Sequence, residues 1–325
     1  MDASRLPPSS APGIRAARPP RPAIPVDRPQ AVWDEIEVAA PGHGVPTRVV
    51  LLTGAECTFT CAMCDLWRHT LTGPTPPGAL PAQLAAALAA PGAATAPWIK
   101  LYNASNFFAP RSVPPEDLPA LAALVAGHER VIVENHPRLC DDRVPAFRDR
   151  LRGRLEVALG LETVHPAILA WLGKEMTTAD AAAACRRLRS WDIDIRSFVL
   201  LGLPGLDAAE ALHWATEAVR FAAGHGVRHC TLIPTRSGNG WIDRLAADGL
   251  FVPPSLGLLE AAGSAALRVA GAMLVTVDTW DLETLPGQCA ACGAARRQRL
   301  VTMNLSQRLE PHPPPVCACP VETPA

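Results

Sequence analysis

Apolar and polar positions along the chain fall into two alternating textures. The first is a series of short apolar, β-branched runs: TRVVLLTGA (47–55), WIKLYNA (98–104), RVIVEN (130–135), RLEVALGLE (154–162), DIRSFVLLGLP (194–204) and HCTLIPT (229–235). These predict strands buried on both faces. Between them stand amphipathic stretches such as LPAQLAAALAA, PPEDLPALAALVAGH, TTADAAAACRRLRSW and DAAEALHWATEAVRFAAGHG. They predict helices, with Pro or Thr near their starts and Gly near the last end as boundaries. Such alternation implies right-handed crossovers and a parallel sheet, either open or curled into a partial barrel. Beyond residue 254, PPSLGLLEAAGSAALRVAGA predicts one more helix and MLVTVDTW one more strand.

Both ends of the chain differ from this pattern. Residues 1–30 are rich in Pro, Ala and Arg, with too few large apolar side chains to offset the entropy of ordering them, and predict a flexible arm. Residues 281–325 hold four cysteines and little core, so something besides hydrophobic burial is expected to hold them. Residues 31–280 remain as the α/β unit.

Composition narrows the function classes. With 49% hydrophobic and 19% charged residues the chain can fill a sizeable core. A net charge of -1 gives no global attraction to nucleic acid, so such a partner would need a local basic patch. The sequence has no uncharged apolar run of spanning length and no secretory h-region, which predicts a cytoplasmic protein with no membrane partner. In a reducing compartment, its ten cysteines are expected to be metal ligands or buried thiols rather than a disulfide framework.

The densest chemistry lies in GAECTFTCAMCDLW, on the loop leaving the first predicted parallel strand. Cys57, Cys61 and Cys64 form CxxxCxxC at the C-terminal edge of the sheet, where α/β folds bind ligands. Three thiolates suit a 4Fe-4S cluster with one iron free of protein ligands, whereas structural zinc normally takes four.

On these residues the chain resembles the radical S-adenosylmethionine (SAM) enzymes, over roughly residues 47–260. The resemblance implies a partial (β/α)6 TIM-like barrel in which the free iron chelates the amino and carboxylate groups of SAM. One-electron cleavage then gives a 5'-deoxyadenosyl radical that takes hydrogen from substrate, with the electron coming from a flavodoxin- or ferredoxin-type donor. By the same resemblance Met63 would lie against the adenine, and Asn106, in NASNFF, would meet the SAM amino group. That turn departs from the family's glycine-rich form. The elements ENHP with Glu134, GLET, LGK and GLPG are similar to the branch of the Elongator catalytic subunit, and PTRSGNG to archaeosine-type enzymes acting on transfer RNA. Glu162 becomes a candidate polar contact to SAM, and Arg196 a candidate partner of its carboxylate, with a structural ion pair as the alternative. Gly202 and Gly205 would let backbone approach the adenine, and Thr235, Arg236 and Asn239 would stand near the substrate.

The tail adds a second thiol set: Cys289 and Cys292 form CxxC, and Cys317 and Cys319 form CxC. The two pairs predict a metal site, either zinc or an auxiliary 4Fe-4S cluster. Arg296, Arg297, Arg299 and Arg308 lie between them as a local basic stretch, either a phosphate contact or a solvated face. The expected function is thus a radical SAM oxidoreductase or transferase, with transfer RNA as the first substrate class. The same chemistry on a small molecule or peptide, and a non-catalytic iron-sulfur or zinc-binding protein, are the alternatives.

Overall fold

The computed structural model describes residues 5–89, 96–311 and 317. Eight strands lie in one sheet in sequence order: β1 (Ala31–Ala40), β2 (His43–Leu51), β3 (Trp98–Tyr102), β4 (Arg130–Asn135), β5 (Arg154–Glu162), β6 (Asp194–Leu201), β7 (His229–Pro234) and β8 (Leu274–Val277). β1 and β2 form an antiparallel hairpin, and every later pair is parallel. The helices are α1 (Ala11–Ala17), α2 (Ala79–Ala89), α3 (Leu118–Val125), α4 (Arg143–Arg148), α5 (Pro166–Trp171), α6 (Thr178–Ser190), α7 (Ala208–Gly224), α8 (Trp241–Ala247), α9 (Leu256–Val269) and α10 (Gly293–Ser306). Capping boxes start two of the longest, Thr177 with Asp180 at α6 and Asp207 with Glu210 at α7. The apolar core lies between the outer face of the sheet and this helical layer.

The sheet curls until its first strand meets its late strands. Glu37 on β1 pairs with Arg196 on β6, and Arg228, just before β7, donates to the Ala39 carbonyl at 3.0 Å. No ladder joins β1 to β8 among the described residues, which makes the architecture a partial, TIM-like barrel with a seam. Helix α10 fills that seam, packing on β1, β2 and β8. Its Asn304 and Gln307 amides each donate to and accept from the β8 backbone, at Val277 and Val275, with all four bonds at 2.8 Å. Two side chains thereby satisfy an edge that would otherwise present free backbone groups.

Three expectations change here. The segment read as a flexible arm carries α1, whose Ile14 is buried, and docks on the barrel's C-terminal end. The tail has a core after all, because Leu300 and Met303 of α10 are buried. Arg296 and Arg299 of the basic stretch are buried and paired with Glu260 of α9, so they offer phosphate no exposed face. No helix among the described residues is long and apolar enough to cross a membrane.

Candidate functional site

The cysteine loop leaves β2 at the sheet's C-terminal edge and is clamped from several directions. Asn106, after β3, donates from Nδ2 to Cys57 Sγ at 3.0 Å. The Ala62 amide donates to the Leu172 carbonyl at 2.9 Å, while Asn239, after β7, donates from Nδ2 to the Ala62 carbonyl at 2.8 Å. The Asn239 Oδ1 in turn accepts from the Ile242 amide at the start of α8. Phe59 stacks on His136 with ring centroids 4.0 Å apart. Burial raises the Cys57 thiol, raises Cys61 to about 12, and raises Cys64 further with help from the neighbouring Cys61. Three such thiols ionise together only against a compensating positive charge, which a metal centre supplies.

Their spacing bears on what that centre is. Cys289, Cys292 and Cys317 form the one group of three or more His, Cys, Asp or Glu, among the described residues, whose ligand atoms all lie within 4.8 Å of one another. Cys57, Cys61 and Cys64 are therefore spread more widely. Tetrahedral thiolates on a single ion at about 2.3 Å stand only ~3.8 Å apart, so the wider loop triad fits a cluster with one thiolate per iron.

Beneath the loop, β5 ends in an irregularity. Register shifts between Gly160 and Glu162, and Glu162 takes φ +63°, the left-handed region that costs a side-chain-bearing residue about 1–2 kcal/mol. The bulge turns the Glu162 carboxylate onto the buried Lys174 ammonium. Burial would lower the Lys174 pKa, but Glu162 and the nearby Cys61 outweigh it and raise it. Lys174 is thus a fixed cation beside the cysteine loop, and it is missing from the candidates drawn from sequence. A lysine on a short loop is ordinarily solvated, and only the fold buries it.

Glu134, at the end of β4, accepts the Asn103 amide at 2.7 Å and caps the NASN turn, in which Ala104 takes φ +54°. Burial pushes its carboxyl up to about 7 despite bonds from the Asn103, Ser105 and Ala104 amides. Asn103 Nδ2 and Thr235 Oγ1, at the ends of β3 and β7, are buried with no hydrogen-bond partner among the described residues. Buried unpaired atoms also occur elsewhere among the described residues, at His229 and Ser197 for example, and these two are the ones that stand at the strand ends beside the cysteine loop.

The other sequence candidates divide. Met63, half-buried, packs against the apolar cluster of Leu6, Ile168, Leu172 and Leu203, the last on the loop that carries Gly202. Gly202 has φ +74°, and a Cβ there would stand 3.0 Å from the Pro254 ring, so glycine is needed on both counts. Arg236 is held by Asp278 at 2.9 Å. Arg196 sits five residues before the end of β6, ~16 Å below the strand end at 3.3 Å per residue. Its guanidinium pairs with Glu156 at 2.8 Å and Glu37 at 2.7 Å, the ion-pair alternative named from sequence.

The N-terminal segment straps the loop from outside. Arg18 donates to Glu56, the residue before Cys57, at 2.7 Å, and Arg21 pairs with the same carboxylate. Both guanidiniums also lie over Trp67, at 4.8 and 5.5 Å from the ring centroid. Trp171 Nε1 donates to the Pro7 carbonyl at 2.8 Å. At Gly240, with φ +87°, a Cβ would stand 2.0 Å from the Ala17 carbonyl, so that glycine leaves the strap its path. Arg15, Arg18, Arg21 and Arg111 line a cavity of about 540 Å³ with Glu56, Cys57 and Thr58. Four cations against one carboxylate leave it positive, next to the first cysteine.

At the far end of the chain, Cys289 and Cys317 are half-buried and Cys292 is buried. Cys319 lies outside the described residues.

No family model matches the chain, and no curated protein does. Similar solved structures include archaeal Elp3 from Methanocaldococcus infernus with an N-terminal deletion, at 13% identity over 56% of this chain and 47% of that one, with TM-score 0.44. TsrM from Kitasatospora setae, a radical S-adenosylmethionine methyltransferase solved with tryptophan substrate and a SAM analog, is 16% identical over 62% of this chain and 39% of that one, with TM-score 0.48. The Escherichia coli coproporphyrinogen III oxidase HemN, a radical SAM enzyme, is 13% identical over 76% and 52%, with TM-score 0.43. The chain spans about half or less of the length of these proteins.

Proposed function

We propose that the chain is a radical SAM enzyme whose Cys57, Cys61 and Cys64 hold a 4Fe-4S cluster at the mouth of the partial barrel. The observation that carries this is the cysteine triad itself: three half-buried thiols on one loop, whose sulfurs do not all lie within 4.8 Å of one another, clamped by Asn106 and Asn239. The chemistry the group supplies when bound is one-electron cleavage of SAM to a 5'-deoxyadenosyl radical that takes a hydrogen atom from substrate.

The chain's own residues hold that site in place. Asn106 donates a hydrogen bond to the Cys57 sulfur, which stabilises its thiolate form, and Lys174 offsets the negative charge that three thiolates bring. Glu162, turned by its bulge, keeps Lys174 charged and is the carboxylate available for a polar contact to SAM. Met63 and the Gly202 turn give an apolar wall for the adenine. Asn103 and Thr235 bring unpaired polar atoms that SAM or substrate can complete. Arg196 serves the barrel floor, and we give it no contact with SAM.

For substrate we favour a small anionic molecule in a biosynthetic pathway. The arginine-lined cavity beside Cys57 has the volume of a small-molecule pocket and the fork geometry that suits carboxylate or phosphate. Transfer RNA is the second reading, and its footing is the same four arginines, since two of the C-terminal set are consumed internally. We place the enzyme in the cytoplasm with a flavodoxin- or ferredoxin-type reductant.

The test is anaerobic reconstitution, iron and sulfide analysis, and assay of 5'-deoxyadenosine from SAM under strong reductant. About four irons that depend on Cys57, Cys61 and Cys64, with SAM cleavage, are expected. A loaded protein that never yields 5'-deoxyadenosine would leave the non-catalytic alternative standing. Binding of transfer RNA with a steep salt dependence would favour the second substrate reading.

A further inference from the structure

We propose that Cys289, Cys292 and Cys317 bind a single zinc-type divalent cation, and that this ion latches the sheet seam. This inference is independent of the radical reading, because none of these residues belongs to the barrel mouth.

Geometry separates the two metal chemistries that the sequence leaves open. All three sulfurs lie within 4.8 Å of one another. That is close to the ~3.8 Å separation of tetrahedral thiolates around one ion at about 2.3 Å. A cubane, with each thiolate on its own iron, requires a wider set. An auxiliary cluster is therefore the poorer fit. The fourth position falls to another thiolate or to water.

The surroundings fit an anionic metal-thiolate centre. Cys292 immediately precedes α10, whose N-terminal amides carry partial positive charge toward it. Arg296 lies one turn into that helix and is fixed by Glu260, which accepts from its Nε at 2.8 Å. Arg297 donates to Gln288 at 2.6 Å, beside Cys289. Zinc with three thiolates carries one net negative charge, which these groups offset.

The latch has something to hold. Helix α10 satisfies the β8 edge through Asn304 and Gln307 and accepts the Gly42 amide of the β1–β2 turn at its Leu305 carbonyl, 2.8 Å away. Residues 307–311 after α10 bury little, with Leu309 exposed, yet Cys317 lies at the helix's opposite end. Joining Cys317 to Cys289 and Cys292 ties the segment that follows the helix to the segment that precedes it, so both ends of the seam-filling element are fixed.

The experiment uses the full chain, purified anaerobically without added metal, as wild type, as a Cys57→Ala/Cys61→Ala/Cys64→Ala variant and as a Cys289→Ser/Cys292→Ser variant. The expected result is about one zinc per chain in the first two and none in the third. Zinc X-ray absorption on the loop-triad variant should give three or four sulfurs at about 2.3 Å and no nearby iron. Should the serine variant fail to fold, the wild type still reads the proposal. Chelation of zinc should accelerate hydrogen exchange at the Val275 and Val277 amides, and zinc readdition should restore protection. Iron and sulfide that follow Cys289 and Cys292, a Cys289–Cys292 disulfide without metal, or exchange indifferent to chelation would each overturn it. Loss of the radical reading would instead remove iron dependent on Cys57, Cys61 and Cys64 and leave the zinc count unchanged.

Discussion

The two ends of the curled sheet handle buried charge in opposite ways. At the N-terminal end the buried carboxylates are paired with buried cations. The Glu156 carboxylate accepts from Arg130, Arg196 and Arg228 at 2.8, 2.8 and 2.9 Å, and Glu37 takes up Lys100 and the other face of Arg196. Burial alone would raise the Glu156 carboxyl, but the three guanidiniums hold it at about 2. At the C-terminal end, burial dominates: Glu134 rises to about 7, Cys61 to about 12, and Asn103 and Thr235 keep unpaired polar atoms. Ala104 and Glu162 hold left-handed backbone there as well. Unpaired buried atoms occur at both ends, so what separates them is charge: the floor pairs its carboxylates with guanidiniums, and the mouth keeps carboxyl and thiol groups that burial holds uncharged beside a strained turn.

The largest expected effect tests the floor. Arg196→Met keeps much of the side-chain volume but leaves Glu156 and Glu37 facing each other without the cation between them. We expect a loss of about 3–5 kcal/mol in denaturant unfolding. Any folded fraction should still cleave SAM at the wild-type rate per iron. Stability near wild type with SAM cleavage abolished would move Arg196 to the mouth and undo the contrast.

A pH series tests both ends in one measurement, because their signs differ. Glu156 is depressed in the fold, so its contribution is present above its unfolded pKa of 4.5 and is lost as pH falls through about 2. Glu134 is raised, so its contribution is present below 4.5 and is lost as pH rises through about 7. Each shift corresponds to on the order of 3 kcal/mol. The stability difference between wild type and Glu134→Gln should therefore move against wild type between pH 4.5 and 7. The difference for Glu156→Gln should move against wild type below pH 4.5. Equal slopes of one sign in the two variants would contradict the contrast.

The same contrast explains what the sequence could reveal. The cysteine spacing and the strand ends were legible because both are local: CxxxCxxC needs one loop, and a two-face-buried strand needs a short apolar run. Strand β1 was not, because its polarity is inverted. Glu35 and Glu37 turn inward to Lys100, while Ile36, between them, is 63% exposed. Only a cationic barrel floor makes that arrangement favourable, and the floor is assembled from five other strands. Arg196 was ambiguous for a related reason, since its height along β6 decides its role and sequence gives no height. Lys174 was legible only as part of the LGK element and not as a buried cation, because its burial depends on the Cys61 loop above it. The N-terminal segment has too little hydrophobicity to fold alone, yet its arginines find Glu56 and Trp67 already in place.

That strap belongs to the mouth and should be held more weakly than the floor. Glu56→Gln removes the carboxylate shared by Arg18 and Arg21, with an expected cost of about 1–3 kcal/mol. Limited proteolysis should then cut within residues 5–30 before the barrel unfolds. Cleavage that begins in the β-sheet instead would mean that the strap is part of the global fold.

The smallest expected effect isolates strain from charge. Ala104 is buried, has φ +54°, and carries no polar side chain, so substitution there alters little besides backbone preference. Left-handed backbone costs alanine about 1–2 kcal/mol, and glycine's extra freedom in the unfolded chain costs about 0.5–1 kcal/mol. Ala104→Gly should therefore stabilise the protein by roughly 0.5–1 kcal/mol in denaturant melts. Because the NASN turn caps Glu134 and leads into Asn106, a looser turn should also weaken the hold on Cys57, and iron should leave the variant faster under chelation. Stabilisation without faster iron loss would show that the strain is an accident of the turn. Destabilisation would mean that the left-handed turn is itself a favourable packing arrangement, and the mouth would then be less strained than its dihedral angles imply.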